Sequence, residues 1–338
     1  MKAIMKAGIM SVAAAAAALA VAPPASAEYD MKIGYPTTAD PQHDVALRMV
    51  KLIKERTKGE VVGRVFPTSQ LGKAPRQIEG IQLGTQEMFL APPAYLQGIN
   101  PAFQVTDAPG LFQDHQHVQR SITDPSFRER FVRLGEKKGI IGGQVWVYDG
   151  TSYMTTSPIK TLADFKGKKI RVLASQMERR VVASVDATGV PIPFTEVVPA
   201  IQRNVVDGAR TSLVVADRAK FPTVTKHLTV TNGSYLATGA WISKVWLEKL
   251  PENLRKIVLD TAGELEQWAA DNSEKYVPGS LESWKKQGAQ VYYLSAPEQK
   301  EYMTRIAALG DELLGKHDNP EVREIYGLLK AAAKKTAK

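Results

Sequence analysis

The stretch MKIGYPTTADPQHDVALRMVKLIKERTKGEVVGRVF, residues 31–66, sets the fold class. Residues 31–35 read as a short strand. Asp40-Pro41 then reads as a helix N-cap with proline in the first helical position, where the missing amide has no intrahelical partner to lose. Val45, Met49, Leu52 and Ile53 follow at helical spacing, Gly59 ends the helix, and residues 61–66 form a second strand. A second helix over 75–83, closed by Gly84, leads to a third strand at 88–91. Strand–helix alternation of this kind predicts an α/β fold with parallel strands.

The pattern recurs further on. Strands are expected at 140–148, 169–173, 190–194 and 236–242, with Ser175 capping one intervening helix and Thr195 the next. The last third reads as helical: an amphipathic helix over 254–276, a kink or break at Pro278-Gly279, a late strand at 291–294, and a final helix opened by a capping box of Ser295 and Glu298. No repeat or low-complexity linker interrupts the chain. Two α/β units joined by continuous elements predict a hinged pair of lobes around a cleft: residues 28–148 with 237–276 as lobe I, residues 149–236 with 277–330 as lobe II, and 331–338 as a solvated basic tail.

The chain has 338 residues. Its first 27 carry a secretory pattern: Lys2 and Lys6, an alanine-rich run over 7–22, then small residues up to Ala27, after which cleavage is expected. No cysteine stands at a lipobox position, because the chain contains none. Disulfides, thiolate metal sites and a cysteine nucleophile are therefore excluded. The remaining 311 or so residues can bury a large core. They hold no second apolar run long enough to span a bilayer, so a soluble periplasmic protein is expected. The formal charge of +9 falls to +7 without Lys2 and Lys6. That suits anionic ligands or a basic surface; nucleic acid is a poor reading, with basic residues dispersed and no binding motif.

Catalytic signatures are missing. HExxH, GxSxG, SxxK, a Walker loop and a post-strand GxGxxG do not occur. His115 and His117, two apart, do not share a helix face and read as solvated positions rather than metal ligands. Glu178, Glu196, Asp207 and Asp217 are acid–base candidates by type alone. Arg171 stands out. It lies between Ile170 and Val172 inside a strand, where a buried charge is costly unless paired. Its flat fork suits two-point contact with a carboxylate. The alternatives are a structural acid as partner, or a head group that reaches solvent.

Several segments together resemble the solute-binding proteins of TRAP transporters, the DctP family. They are DFKGKKIRV at 164–172, TGVPIPF at 188–194 followed by TEV, and NVVDG at 204–208. FPTSQLG at 66–72, IQLGT at 81–85, PGLF at 109–112 and WLEKLP at 246–251 complete the set. The resemblance spans nearly the whole chain after residue 27. It implies two lobes that close on a ligand and delivery of a small organic carboxylate to membrane subunits; no cofactor is expected and a monomer is, while the sequence leaves open whether a metal ion accompanies the ligand. It gives Arg171 the substrate carboxylate, with Ser175 and Phe194 in the pocket. The chain departs from the family at the position of a second arginine, near Thr151, and at the pocket asparagine, where Thr211 stands. Arg210 then reads either as a replacement cation or as a side chain pointing to solvent. Pro92, Pro93, Tyr95, Tyr148 and Tyr153, with Tyr35 at the end of the first strand, lean towards a carboxylate with an apolar or aromatic body. The competing classes are an exported enzyme acting on a small acid and a binding protein for a sensor or an ATP-driven importer.

Overall fold

The computed structural model describes residues 29–337; the expected secretory segment, 1–27, lies outside them. Nine strands form one sheet: β1 (Tyr29–Gly34), β2 (Val61–Phe66), β3 (Met88–Ala91), β4 (Ile140–Thr155), β5 (Lys169–Val172), β6 (Thr188–Pro191), β7 (Gly208–Ser212), β8 (His227–Ser243) and β9 (Gln290–Tyr293). Their order is β2-β1-β3-β8-β4-β7-β5-β6, with β9 on the free part of β8. The two ends are parallel, as the alternation predicts. The centre is not. β4 and β8 are long antiparallel partners, and each serves both halves of the molecule. Their register shifts around Val147, Gly150 and Ser152. At Gly150 a Cβ would meet the Asn232 side chain, which would have to turn aside.

Strand pleating sorts side chains to two sides. Along β4, Val145, Val147 and Tyr153 enter one core, while Trp146 and Tyr148 enter a second and Met154 a third. The first core runs beneath both halves, from Phe89, Phe103 and Trp241 to Phe165, Met177 and Tyr302. On the opposite side the core is divided. Met31, Met49, Leu254 and Val258 pack under one half, and Val197, Ile201, Leu228 and Trp284 under the other.

Four expectations need correction. Of the kink or break expected at Pro278-Gly279, the break does not occur: the helix Glu252–Lys286 is continuous. Pro278 and Glu274 are both exposed, so water can take the carbonyl that the proline leaves unpaired. Of the expected tail, residues 331–337 are not free. The helix Pro320–Thr336 buries Ala332 and Ala333, and Lys335 reaches Asp124 at 2.7 Å. That helix packs on Pro101–Asp107, His115–Ile122 and Pro125–Phe131, with Glu321 on Asn100 and Glu324 on Arg130. Residues 320–330 therefore lie against lobe I rather than within lobe II. Ser295 meets Glu298 only through side chains, at 2.9 Å, and makes no backbone cap.

Candidate functional site

β5 carries the site because its pleat places Ile170 and Val172 in the continuous core and turns Arg171 the other way. Arg171 is 1% exposed. Its Nε donates to the Ile192 carbonyl at 3.0 Å, which fixes the guanidinium plane, and its Cζ lies 5.8 Å from the centre of the Phe194 ring. Nη1 and Nη2 are buried and have no partner in the protein. A buried charge with empty hydrogen-bonding positions is a costly arrangement to keep without a role.

The guanidinium faces a void of about 30 Å³, lined by Pro36, Thr37, Gln42, Pro92, Tyr95, Tyr148, Leu173, Phe194, Thr211, Val215, Leu236 and Thr238. On the scale where one water needs roughly 10–15 Å³, it takes about two water-sized groups, so a ligand that reaches both Arg171 and the opposite wall fits only with the walls further apart. Pro36, Tyr95 and Phe194 also line an outer cleft of about 390 Å³, whose other walls include Ile78, Phe89, Ala174 and Ile192. Lys73 and Glu196 form an ion pair across its mouth. A polar chain stands on the lobe I wall. Thr37 donates to Gln42 Oε1 at 2.9 Å, and Gln42 Nε2 donates to Thr238 Oγ1 at 3.1 Å. Tyr148 donates to Asp40, whose carboxyl burial pushes up despite bonds from Tyr148 and the His43 amide. The larger groove of about 760 Å³ beside Arg128, Lys244 and Arg255 is no rival. Its cations are all engaged, by carboxylates or by backbone carbonyls.

The structure thus gathers Arg171, Phe194, Thr211 and Tyr95 around one void, with Tyr148 and Pro92; Pro93 is buried beside them without lining it. It places Arg210, Ser175, Thr151 and Tyr153 elsewhere. Arg171 pairs in register with Ala209, so its neighbour Arg210 points to the opposite side of the sheet. Neither reading of Arg210 holds: it is fully buried and bonded to Glu178, Thr151 Oγ1 (2.8 Å) and Ser234. Its Cζ lies 5.8 Å from the Tyr153 ring, and Tyr153 meets Tyr302. Ser175 caps its helix at the Glu178 amide, beside the buried Asp107. Burial, then the neighbouring Glu178, raises Asp107 to about 8. Tyr35 is buried against His43, its hydroxyl 2.7 Å from Nδ1.

The other candidates do not assemble into a catalytic set. Glu196 pairs with Lys73, Asp207 accepts from the Lys169 amide at 2.7 Å, and Asp217 accepts from Ser283 at 2.7 Å. His115 and His117 are buried rather than solvated: they contact the carbonyls of Tyr148 and Ala333. Among the described residues no three His, Asp or Glu side chains gather to hold a metal ion. Sequence reading missed Gln42. Its signal was there: with Val45, Met49 and Ile53 it continues the buried stripe of Pro41–Arg56, a polar residue where an apolar one is expected.

A family model described as bacterial extracellular solute-binding protein, family 7, matches residues 34–316. The 2,3-diketo-L-gulonate-binding periplasmic protein YiaO of Escherichia coli is 30% identical over 264 residues, covering 76% of this chain and 80% of its own. The C4-dicarboxylate-binding periplasmic protein DctP of Rhodobacter capsulatus is 28% identical over 309 residues, covering 89% and 92%. Among solved structures, a TRAP periplasmic solute-binding protein from Desulfovibrio salexigens with bound orotic acid superposes with a TM-score of 0.87 at 28% identity, covering 92% of this chain and all of that one. This chain belongs to the DctP family of solute-binding proteins, the receptors of TRAP transporters.

Proposed function

We propose that this protein is an extracytoplasmic receptor that closes on a small organic acid with an apolar or aromatic body and passes it to TRAP membrane subunits. The observation that carries the reading is Arg171: buried, oriented by Ile192, with Nη1 and Nη2 free and turned to the void between the lobes. One carboxylate fills those positions in two-point contact. The ligand's body then lies between Pro92, Tyr95, Leu173 and Phe194 and extends towards the outer cleft. The acids in the names of the relatives support the ligand class.

Closure follows from where the contacts originate. Arg171, Phe194 and Thr211 belong to one lobe, and Thr37, Gln42 and Tyr95 to the other. A ligand that touches both binds the closed form better, and it shifts the equilibrium by that difference in affinity. The hinge is assigned to the crossing of β4 and β8 near Gly150, the division expected between residues 148 and 149.

Calorimetry with a panel of keto, hydroxy, sugar and aromatic acids tests the reading. Arg171→Lys keeps the charge and loses the fork; it is expected to weaken binding of any hit at least tenfold, about 1.4 kcal/mol or more, with the melting temperature little changed. Unchanged affinity in that variant would exclude Arg171 as the anchor.

A further inference from the structure

Arg171 is the one cation among the residues lining the void. The opposite wall is polar but neutral, and its hydrogen-bonding capacity can be counted. Gln42 is 2% exposed. Its carbonyl is occupied by Thr37, while its amide nitrogen carries two hydrogens and gives one to Thr238. The second is unspent. Thr238 accepts from Gln42, and its own hydrogen has no protein acceptor. Thr211, on the Arg171 side, makes no side-chain hydrogen bond in the protein and turns to the same void. Tyr148 has committed its hydrogen to Asp40.

The wall facing Arg171 therefore presents donors without a positive charge, and a buried carboxyl, Asp40, stands behind it. A second ligand carboxylate placed there would be a desolvated charge with no counter-ion, a state that costs several kcal/mol. A neutral oxygen acceptor would satisfy the same donors at no such penalty.

We propose that the site selects a monoanion: one carboxylate on Arg171 and, across the void, a neutral carbonyl acceptor of amide, imide or keto type held by Gln42 and Thr238. The proposal rests on the carboxylate–Arg171 reading and narrows it. Diacids are excluded by the lone cation. Specificity is then assigned to Gln42, a lobe I residue, and anchorage to Arg171, a lobe II residue.

The test uses acids matched in shape: succinamate against succinate, and 4-carbamoylbenzoate against terephthalate, with butyrate and benzoate as plain references. Calorimetry on the wild-type protein is expected to show, in the series that fits, the monoamide binding at least tenfold tighter than the diacid. Gln42→Leu is expected to collapse the preference for the monoamide over the plain acid by tenfold or more. Thr238→Val does so by about threefold and stands in if Gln42→Leu melts early. A diacid that binds as well as or better than its monoamide overturns the proposal, as does an amide preference that both variants leave intact. If such a diacid still depends on Arg171, the receptor reading survives and only the selection rule falls. If no acid of either series binds, or if binding survives Arg171→Lys, both fall together.

Discussion

Arg171 and Arg210 lie on neighbouring parallel strands, both essentially buried, on opposite sides of one sheet. Arg210 is held by three side chains, Glu178, Thr151 and Ser234, through Nη1 and Nη2, and its Nε lacks a partner among the described residues. Burial works against its charge, but Glu178, Tyr302 and Tyr153 together outweigh it, so the guanidinium is held above its usual range. Arg171 has one backbone bond and two bare nitrogens. The same residue type, equally hidden, serves architecture in one place and waits for a ligand in the other. What separates them is the completeness of their hydrogen bonding, which no local sequence pattern reports.

Stability measurements can break this contrast. Arg210→Met leaves Glu178 charged and unpaired in the core, a loss of roughly 3–5 kcal/mol. Arg171→Met removes an uncompensated charge and strands only the half-buried Ile192 carbonyl, so its unfolding midpoint in urea is expected to hold or rise. Equal losses in the two variants would mean that Arg171 is as structural as Arg210. Adding Glu178→Leu to Arg210→Met sharpens the point. With both charges gone, the double variant should regain most of the deficit, because neutralising a buried pair is far cheaper than halving it.

Much of this fold was legible. β2 and β3 have the expected bounds, and Asp40 caps its helix through the His43 amide at 2.9 Å, as Asp40-Pro41 announced. The long strands were legible only in their apolar parts. Residues 149–155 and 227–235 carry Asp, Gly, Asn, Thr and Ser, the composition of a loop. They persist as strands because tertiary partners satisfy them: Thr151 with Ser234, Thr229 with the Ile159 carbonyl, Thr231 with the Thr151 carbonyl. The same polar content blurred the site. Ser175, Thr151, Tyr153 and Arg210 have the chemistry of a ligand pocket, but the pleat sends Thr151, Tyr153 and Arg210 to the other side of the sheet and Ser175 is taken up as a helix cap. Asp107 gave no signal, since Asp-Ala-Pro-Gly reads as a turn.

Asp107 makes the structural cluster responsive to pH. Its carboxyl is raised to about 8 by burial and then by Glu178. A carboxyl raised in the folded state binds its proton more tightly there than when unfolded. Its stabilising contribution is complete below the unfolded value near 4 and is lost as pH climbs to about 8. Asp149 and Glu266, both raised to about 7 by burial, act over a lower window. Between pH 7 and 8 Asp107 therefore contributes a decline of at most about 1.4 kcal/mol. Asp107→Asn should flatten that segment of the urea midpoint against pH. A slope unchanged in the variant would remove Asp107 from the cluster's titration.

The smallest effect tests the boundary between the two sides most directly. Thr151 stands where the family often carries a second arginine, and on that ground it was expected at the ligand. In the structure its hydroxyl accepts from Arg210 at 2.8 Å and donates to the Ser234 carbonyl at 3.0 Å, with no share in the void beside Arg171. Thr151→Val keeps the shape and the β-branch and deletes both bonds. Arg210 retains Glu178 and Ser234, so the loss should be about 1 kcal/mol, the worth of an ordinary buried hydrogen bond. Affinity for any acid that depends on Arg171 should stay within about twofold, below 0.5 kcal/mol. A tenfold loss of affinity at unchanged stability would place Thr151 at the ligand and join the two sides into one site. A loss of stability without a change in affinity keeps them apart, and means that Thr151 here completes the shell of Arg210.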